Sequence, residues 1–249
     1  MSRAVKLRAV ILRTVDYGER DRVVTLFSRD RGKLSAFARG ARSSRRRFGG
    51  TLEPFTLVAA ELTERAGDLW GLEDAAVERG FGNVRGDLAR IACASYAVEL
   101  SRELVRDAEP HEDLFDALVA YLTLLDEGPA RPWDLRRFEL DALRAAGLQP
   151  ALETCARCGR PAGEGPCPFD PAQGGVLCPA CAFTAGQATR TMAAGVLEAL
   201  RRLQRGEPLQ ADPPVGGEAR AILGACVEIH LGKRLQSRRF LDEVGPMLS

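Results

Sequence analysis

Two Cys-x-x-Cys pairs are the residues whose type and spacing most directly indicate chemistry in this chain. The first pair is CARC, with Cys155 and Cys158, and after 19 residues the second is CPAC, with Cys178 and Cys181. This spacing is typical of a four-cysteine zinc ribbon, in which each pair forms a turn that points two thiolates at one ion. Four thiolates leave no coordination position for water, so the pattern predicts one structural Zn²⁺ and no catalysis by the metal.

The three remaining cysteines indicate less specific roles. Cys93 and Cys226 lie in apolar helical runs, which predicts ordinary core residues. Cys167 lies between two prolines and has no Cys-x-x-Cys partner, so we interpret it as a spare thiol and leave a role as a fifth ligand open. An odd total of 7 cysteines, without an export signal, favours metal binding over a disulfide framework.

A second unusual stretch is RGARSSRRRF, residues 39–48, which places five arginines in ten residues of a chain whose formal net charge is only +1. Residues 1–53 contain 14 Lys and Arg against 5 Asp and Glu, a net charge of +9, so the remainder carries −8. No acidic residue occurs between Asp30 and Glu53. The chain is therefore divided into a basic N-terminal part and an acidic remainder.

These cations predict a contact with nucleic acid. Guanidinium groups match phosphate oxygens in geometry and charge, and single strands also stack their bases on exposed aromatic rings. The predicted DNA-binding residues are Lys33, Arg39, Arg42, Arg45, Arg46, Arg47 and, as an exposed stacking ring, Phe48. The other aromatic residues of this part are expected mostly in the core. A solvated loop without a partner is the alternative.

The elements around the arginine stretch are short and strand-like. The runs LRAVILRTV, DRVVTLFS, KLSAFAR and EPFTLVAAEL are separated by turn signals at glycines. Five strands in about seventy residues, with one long basic connection between the third and the fourth, predict a five-stranded OB-fold β-barrel over residues 1–80. An SH3-like barrel is the nearest alternative.

Helical periodicity begins after Gly82 and continues to the end of the chain. It predicts helices over 87–105, 112–128 and 132–147, another near 191–206, and a single long helix over 218–244. These helices would form an α-helical bundle over residues 81–249. Within it, residues 151–186 are rich in Gly, Pro and Cys and read as a zinc-ribbon insertion without a core of its own. The predicted class is thus α+β, with a barrel followed by helices.

Composition and length are those of a globular protein, with 249 residues, of which 45% are hydrophobic and 28% charged. No apolar run of 18 residues occurs that could span a bilayer. The start of the chain contains only the short apolar block AVIL between arginines, which is too short for a secretory signal. We therefore expect a cytoplasmic protein without a membrane partner.

The sequence contains no recognisable catalytic site. Its two histidines, His111 and His230, lie far apart in predicted helical segments, and GFGNVRG, residues 80–86, lacks the spacing of a dinucleotide-binding motif. Carboxylate pairs such as Glu73 and Asp74 are indistinguishable from surface charge. We predict a protein that is not an enzyme. The alternatives are a zinc-containing protein-interaction scaffold and, with less support, a metal-dependent nuclease.

These residues also carry a resemblance to a known family. Residues 10–58, VILRTVDYGERDRVVTLFSRDRGKLSAFARGARSSRRRFGGTLEPFTLV, resemble the N-terminal domain of the RecO family of bacterial DNA repair proteins. FELDALRAAG and HLGKRLQSRRFL resemble later parts of the same family. The most specific matches are DYGERDR and the arginine stretch followed by LEPF.

The resemblance implies an OB fold, a helical domain with a zinc ribbon, and no enzymatic activity. It implies binding to single- and double-stranded DNA, annealing of complementary strands, and contacts with RecR and with the single-stranded-DNA-binding protein (SSB). It also implies help in loading RecA onto SSB-coated DNA, and a location at the nucleoid. Lys233, Arg234, Arg238 and Arg239 near the end of the chain are a candidate second contact, with a solvated helix face as the alternative.

Overall fold

The computed structural model describes residues 4–65, 67, 69–184, 189–209 and 216–244. Its first part is a closed barrel of five strands: β1 (Ala4–Tyr17), β2 (Asp21–Ser28), β3 (Gly32–Ala38), β4 (Leu57–Thr63) and β5 (Leu69–Arg79). The order around the barrel is β1-β2-β3-β5-β4, and only β3 and β5 pair in parallel. The predicted OB-like barrel is therefore confirmed.

β1 closes the barrel because it pairs with two neighbours. Residues 4–10 pair with β4, and residues 9–17 pair with β2. The register with β2 shifts between Ile11 and Arg13, which marks an irregularity of the kind that bends a strand. A single strand of 14 residues can thus turn around the end of the barrel.

β3 shows strict alternation of buried and partly exposed side chains. Leu34, Ala36 and Ala38 point into the barrel, and Ser35 and Phe37 point outward. The large ring of Phe37 is therefore outside the barrel, and two small alanines occupy the inside. This arrangement is important for the candidate site.

The second part of the chain is helical. A 3₁₀ turn, Gly82–Gly86, leads from the barrel into it. The helices of this part are α2 (Leu88–Leu104), α3 (Glu112–Glu127), α4 (Pro132–Ala145), α5 (Pro179–Phe183), α6 (Ala194–Gln204), α7 (Gly216–Leu231) and α8 (Gln236–Val244). One short helix, α1 (Arg45–Phe48), belongs to the barrel part and lies between β3 and β4. Local signals fix some ends: the Asp87 side chain caps α2, and Pro132 occupies the first turn of α4.

The prediction of one long helix over 218–244 is wrong, because the chain breaks between α7 and α8. Gly232 adopts a left-handed conformation with φ of +64° just after α7. The start of α8 is then held by the carboxylate of Glu99 in α2, which accepts hydrogen bonds from the backbone N–H groups of Gln236 and Ser237 at 3.1 and 2.7 Å. A tertiary contact therefore decides where the last helix begins.

The cysteine-rich segment forms a small sheet of three strands in the order β7-β6-β8, namely β6 (Cys167–Asp170), β7 (Gly175–Val176) and β8 (Arg190–Met192). Phe169, Val176 and Met192 of this sheet are buried in the same apolar core as the helices. The segment is thus joined to the helical core through these three side chains.

The described residues form two large apolar cores. One fills the barrel, and the other lies among the helices and continues onto the outer surface of the barrel, where it includes Val10, Leu12, Phe27 and Leu57. At this junction the rings of Phe27 and Phe115 meet edge to face, with their centres 5.6 Å apart. Barrel and helices therefore share one apolar interface.

Ion pairs surround the apolar junction. The Arg29 guanidinium contacts Asp116 at 3.1 Å and Glu112 at 2.6 Å, both on α3. Arg79 at the end of β5 contacts Glu127, also on α3, at 2.7 Å. None of the helices in the described ranges has the length and apolar character needed to cross a membrane.

Candidate metal centre and nucleic-acid interface

The four cysteines of the two Cys-x-x-Cys pairs lie together. Their Sγ atoms are all within 4.8 Å of one another, and those of Cys158 and Cys178 are 3.7 Å apart. A tetrahedral ion with metal–sulfur bonds of about 2.3 Å holds its ligands roughly 3.8 Å from one another. Cys155, Cys158, Cys178 and Cys181 therefore have the arrangement needed to bind a single metal ion.

Backbone hydrogen bonds shape the two turns that carry these ligands. In the first turn the Gly159 N–H donates to the Cys155 carbonyl at 2.9 Å, and the Cys155 N–H donates to the Arg160 carbonyl at 2.7 Å. Gly159 has φ of +73°, which glycine adopts without strain. In the second turn the Ala182 N–H donates to the Cys178 carbonyl at 2.9 Å as α5 begins.

The pKa values of two thiols in the cluster shift in opposite directions. Burial opposes ionisation of the Cys155 thiol, but backbone hydrogen bonds from Cys178, Cys158 and Arg157 outweigh it and lower the pKa of this thiol to about 6. Hydrogen bonds with the thiols of Cys178 and Cys158 raise the pKa of Cys181 to about 12. A bound cation favours the deprotonated form of every ligand, so metal binding would release the protons that remain.

The other three cysteines lie outside this cluster. Cys167 is buried in β6 and belongs to the core shared with the helices. Cys93 and Cys226 are buried on α2 and α7, where burial raises the pKa of their thiols to about 11 and about 12. Their predicted role as core residues is confirmed.

The arginine stretch forms a loop at the end of β3 and includes the short helix α1. Ser44 caps this helix, because its side chain accepts a hydrogen bond from the Arg47 N–H at 3.3 Å. The side chains of Arg45 and Arg46 lie outside the described part of the structure. Their contacts with DNA stay a prediction.

The described arginines of the loop have little compensating charge. Arg39 is exposed and has no ion-pair partner among the described residues. The nearest carboxylate oxygen of Asp16 lies 3.6 Å from Arg42, and Asp16 also pairs with Arg22 at 3.0 Å. The Arg47 guanidinium donates to the backbone carbonyl of Arg39 at 2.8 Å, and it has no carboxylate partner in the part of the chain that the structure describes. Positive charge therefore exceeds negative charge at this end of the barrel.

Lys33 differs from these arginines because it has a carboxylate partner of its own, and its predicted contact with DNA stays a prediction. Its ammonium lies 3.2 Å from the Asp107 carboxylate and donates to the Arg102 carbonyl at 3.0 Å. Asp107 follows Lys33 by more than seventy positions, so the sequence around Lys33 contains no sign of this pair. The helical part of the molecule therefore neutralises Lys33.

Phe48 is also placed differently from the prediction of an exposed stacking ring. It is only 3% exposed and packs in the barrel core. The reason is that α1 covers one end of the barrel and turns its last residue inward, with the Arg47 guanidinium 4.9 Å above the ring. Phe48 therefore anchors the arginine loop to the barrel core.

Two aromatic rings lie instead on the outer side of the barrel, the exposed ring of Tyr17 on β1 and the half-buried ring of Phe37 on β3. Val15, Tyr17, Val23 and Phe37 form this surface, which we call the aromatic face; Val15 pairs with Val23, and Val23 pairs with Phe37. Tyr17 is 62% exposed, and its ring meets Phe37 edge to face with 5.7 Å between ring centres. The guanidinium of Arg65 lies 5.7 Å from the Phe37 ring centre.

The sequence interpretation missed Tyr17 and Phe37, because it assigned most aromatic residues to the core. Reading Leu34, Ala36 and Ala38 as the inward positions of β3 would have placed Phe37 outside. The aromatic face adjoins the arginine loop, since Ala38 ends β3 and Arg39 begins the loop. Cations and exposed rings are thus neighbours on one side of the barrel.

The C-terminal candidate residues are compensated. Lys233 contacts Glu103 at 2.6 Å, Arg234 contacts Asp242 at 2.5 Å, and Arg239 contacts Glu243 at 3.2 Å. Arg238 is 8% exposed, pairs with Asp242 at 3.2 Å and lies over the ring of Tyr96. These side chains therefore form an ion-pair network in which only Arg238 is buried.

Comparison with known proteins agrees with this architecture. The family model described as "Recombination protein O N terminal" matches residues 1–81, and the model described as "Recombination protein O C terminal" matches residues 85–239. A DNA repair protein RecO from Anaeromyxobacter sp. (strain K) is 63% identical, over 98% of this chain and 98% of the relative.

More distant relatives also match along most of their length. DNA repair protein RecO from Myxococcus xanthus is 46% identical over 95% of this chain and 96% of the relative, and that from Geobacter sulfurreducens is 38% identical over 97% and 99%. A barrel followed by helices, both family models and full-length identity of this degree lead to one conclusion: the chain belongs to the RecO family of DNA repair proteins.

Proposed function

We propose that this protein is a non-enzymatic recombination mediator that binds single- and double-stranded DNA and promotes the pairing of complementary strands. The observation that carries the proposal is the juxtaposition of the arginine loop, with its excess positive charge, and the aromatic face on an OB-like barrel. OB folds bind single strands by combining a cationic groove with rings on which bases stack. In this proposal, residues 1–80 form the nucleic-acid-binding domain and residues 81–249 form the helical domain, which carries the zinc ribbon at 151–186.

The charge distribution supports annealing as the activity. Two complementary strands repel each other through their phosphates, and a surface that neutralises those phosphates lets the strands approach. Pairing then releases free energy without a covalent step, so no catalytic side chain is required. The remaining family functions, help in loading RecA onto SSB-coated DNA together with RecR, and association with the nucleoid, are part of the same proposal and rest on family membership.

A binding titration tests the proposal. The full chain is titrated with a fluorescent oligo(dT) at several salt concentrations, and annealing of complementary oligonucleotides is followed in parallel. If the five arginines of the loop contact phosphates, we expect the slope of log K against log salt to be about −3 to −4. Binding that does not depend on salt would favour the scaffold alternative, and cleavage of the DNA in the presence of Mg²⁺ would favour the nuclease.

We further propose that the ion held by the four cysteines is one structural Zn²⁺. A set of four thiolates suits zinc, and a closed tetrahedron leaves no site for substrate. When bound, the ion would supply folding free energy to the 151–186 segment. The four ligands would hold it between the two turns, and the backbone hydrogen bonds at Gly159 and Ala182 would orient them.

The metal proposal is tested with Cys155→Ser and the matched control Cys167→Ser, which changes a cysteine of the same segment outside the cluster. Elemental analysis of the purified proteins should give one zinc per chain for the wild type and for Cys167→Ser, and a large loss for Cys155→Ser. The barrel should remain folded in all three. One zinc per chain in Cys155→Ser would show that the ligand set is wrong.

A further inference from the structure

A groove of about 660 Å³ lies at the seam where β3 and β5 separate. The two strands pair only over residues 35–37 and 69–71. On the N-terminal side of Ser35, Lys33 of β3 forms a parallel bridge with Asp107, which lies in the loop between α2 and α3. We call this space the seam groove. Its walls include Ser35, Leu69, Trp70, Asp107 and Ala108.

The wall made by the α2–α3 loop is fixed to the barrel. The Ala108 N–H donates to the Lys33 carbonyl at 2.9 Å, and the Lys33 ammonium pairs with Asp107 at 3.2 Å. The loop approaches the barrel so closely that a Cβ atom on Gly32 would lie 1.9 Å from the carbonyl oxygen of Glu109. The groove is therefore a formed feature of the fold that depends on glycine at position 32.

The polarity of the seam groove suits a nucleobase inside and phosphates outside. Lys33 and Asp107 neutralise each other, and the Trp70 ring contributes an aromatic wall. Cations lie around it: the Arg31 guanidinium is 5.8 Å from the Trp70 ring centre, and Arg106 is exposed, with no ion-pair partner among the residues that the structure describes. Among the described residues that line the groove, the only charged side chains are Lys33 and Asp107, which pair with each other and leave no net charge for a free phosphate.

The groove also continues the aromatic face. Ser35 and Phe37 both point outward on β3 and are two residues apart, which is about 6.6 Å along a strand. A single strand that crosses Phe37 along β3 therefore reaches the groove at Ser35. Trp70 pairs with the inward-pointing Ala36 and packs against the barrel core, so it lines the inner side of the groove. The volume lies within the range of about 300–1,000 Å³ that is usual for small-molecule sites, so a base with its sugar has room.

We propose that the seam groove binds one nucleotide of a single-stranded DNA that crosses the aromatic face, with the base against Trp70. This inference rests on the proposed function, because it assigns a subsite within the same binding surface. It predicts that the affinity for single-stranded DNA depends on a base at this position as well as on the phosphate charge. The contact is independent of sequence, since every base has a flat face.

Tryptophan fluorescence tests this inference on the full chain. The second tryptophan, Trp133, is 3% exposed in the helical core and should give a constant background. We expect dT12 to quench the emission of Trp70, and a 12-mer of abasic deoxyribose phosphates, with the same backbone charge, to leave it unchanged. In Trp70→Phe the quenching should disappear with little change in affinity. In Trp70→Ala the affinity for dT12 should fall about 5- to 150-fold, because base stacking is lost.

Trp70 also packs against the barrel core, so a groove-filling variant provides a second measurement. Ser35→Met should weaken dT12 binding and abolish the quenching, whereas the control Val77→Met, at an exposed position of β5, should behave as wild type. Salt-dependent dT12 binding with unchanged Trp70 emission, or equal quenching by the abasic 12-mer, would overturn the inference and leave the proposed function in place. Absence of all DNA binding would overturn both.

Discussion

Two basic clusters of this protein have similar charge and opposite surroundings. The arginine loop, residues 39–47, contacts one carboxylate among its described side chains, and that carboxylate also serves Arg22. In the C-terminal cluster of Lys233, Arg234, Arg238 and Arg239 every member contacts a carboxylate; Arg234 and Arg238 share Asp242, and Arg234 also lies 3.6 Å from Glu228. Only charge that remains uncompensated within the fold is available to a polyanion. Counting basic residues in a sequence therefore identifies candidate DNA-binding residues. Whether each residue is available to DNA or instead stabilises the fold depends on its carboxylate partners.

The largest expected effect on the stability side of this comparison is at Arg238. Arg238→Ala removes a nearly buried guanidinium that pairs with Asp242 and donates to the Arg220 carbonyl at 3.1 Å. We expect the free energy of unfolding to fall by about 3 kcal/mol. Urea denaturation measures it, and the salt dependence of DNA binding should be unchanged under conditions where the variant is folded. A flatter salt slope would place Arg238 at the DNA.

On the binding side, the decisive pair of variants removes three cations from each cluster. Replacing Arg45, Arg46 and Arg47 together with alanine should flatten the salt slope for single-stranded DNA by about 2, because three phosphate contacts are lost. The matched triple variant of Lys233, Arg234 and Arg239 loses the same charge and should keep the wild-type slope. Equal changes of the salt slope in both triple variants would mean that net charge alone controls binding. The distinction between the arginine loop and the C-terminal cluster would then be wrong.

Lys33 provides an intermediate case within the barrel itself. Lys33→Met keeps the aliphatic stem and removes the ammonium that contacts Asp107 and the Arg102 carbonyl. We expect a loss of about 1–2 kcal/mol in stability, measured by urea denaturation, since a charge-assisted hydrogen bond between barrel and helices is removed. The salt slope of DNA binding should stay the same. A change in slope equal to that of one loop arginine would show that Lys33 contacts DNA despite its pairing with Asp107.

The smallest effect is expected at Arg239, whose side chain is 85% exposed and pairs with Glu243 one helical turn away. Arg239→Ala should reduce the stability by about 0.3–0.5 kcal/mol, as is usual for exposed pairs of this spacing. DNA affinity should be unchanged at all salt concentrations. A loss comparable to that of Arg238→Ala would contradict the assignment of Arg239 to the solvated side of the network.

Local patterns in the sequence were sufficient for much of the architecture. The cluster of four cysteines was predictable because each pair lies within four residues and its turn is determined by neighbours such as Gly159. The barrel was predictable because its strands are short runs between glycine turns. The first helices were predictable from capping residues such as Asp87 and from Pro132.

Features set by distant contacts were not predictable. Lys33 is neutralised by Asp107, and the start of α8 is set by Glu99, which is more than 130 positions away. Phe48 is buried where an exposed ring was predicted, and Phe37 lies outside the barrel where a core residue was expected. Burial depends on the direction in which the side chain leaves its helix or strand, and size alone does not decide it. The outward rings of the candidate interface thus depend on strand register, which the sequence of KLSAFAR does not define because its large apolar residues, Leu34 and Phe37, are three positions apart.

The sharing of the larger core between helices and barrel has a practical consequence for dissecting the protein. Val10, Leu12, Phe27 and Leu57 cover the outside of the barrel with apolar surface that the helices keep dry. A fragment that ends near residue 80 would expose this surface to solvent and would be prone to self-association. Multivalent aggregates of a cationic barrel would hold DNA more tightly than the intact chain, so apparent gains in affinity on truncation would reflect avidity.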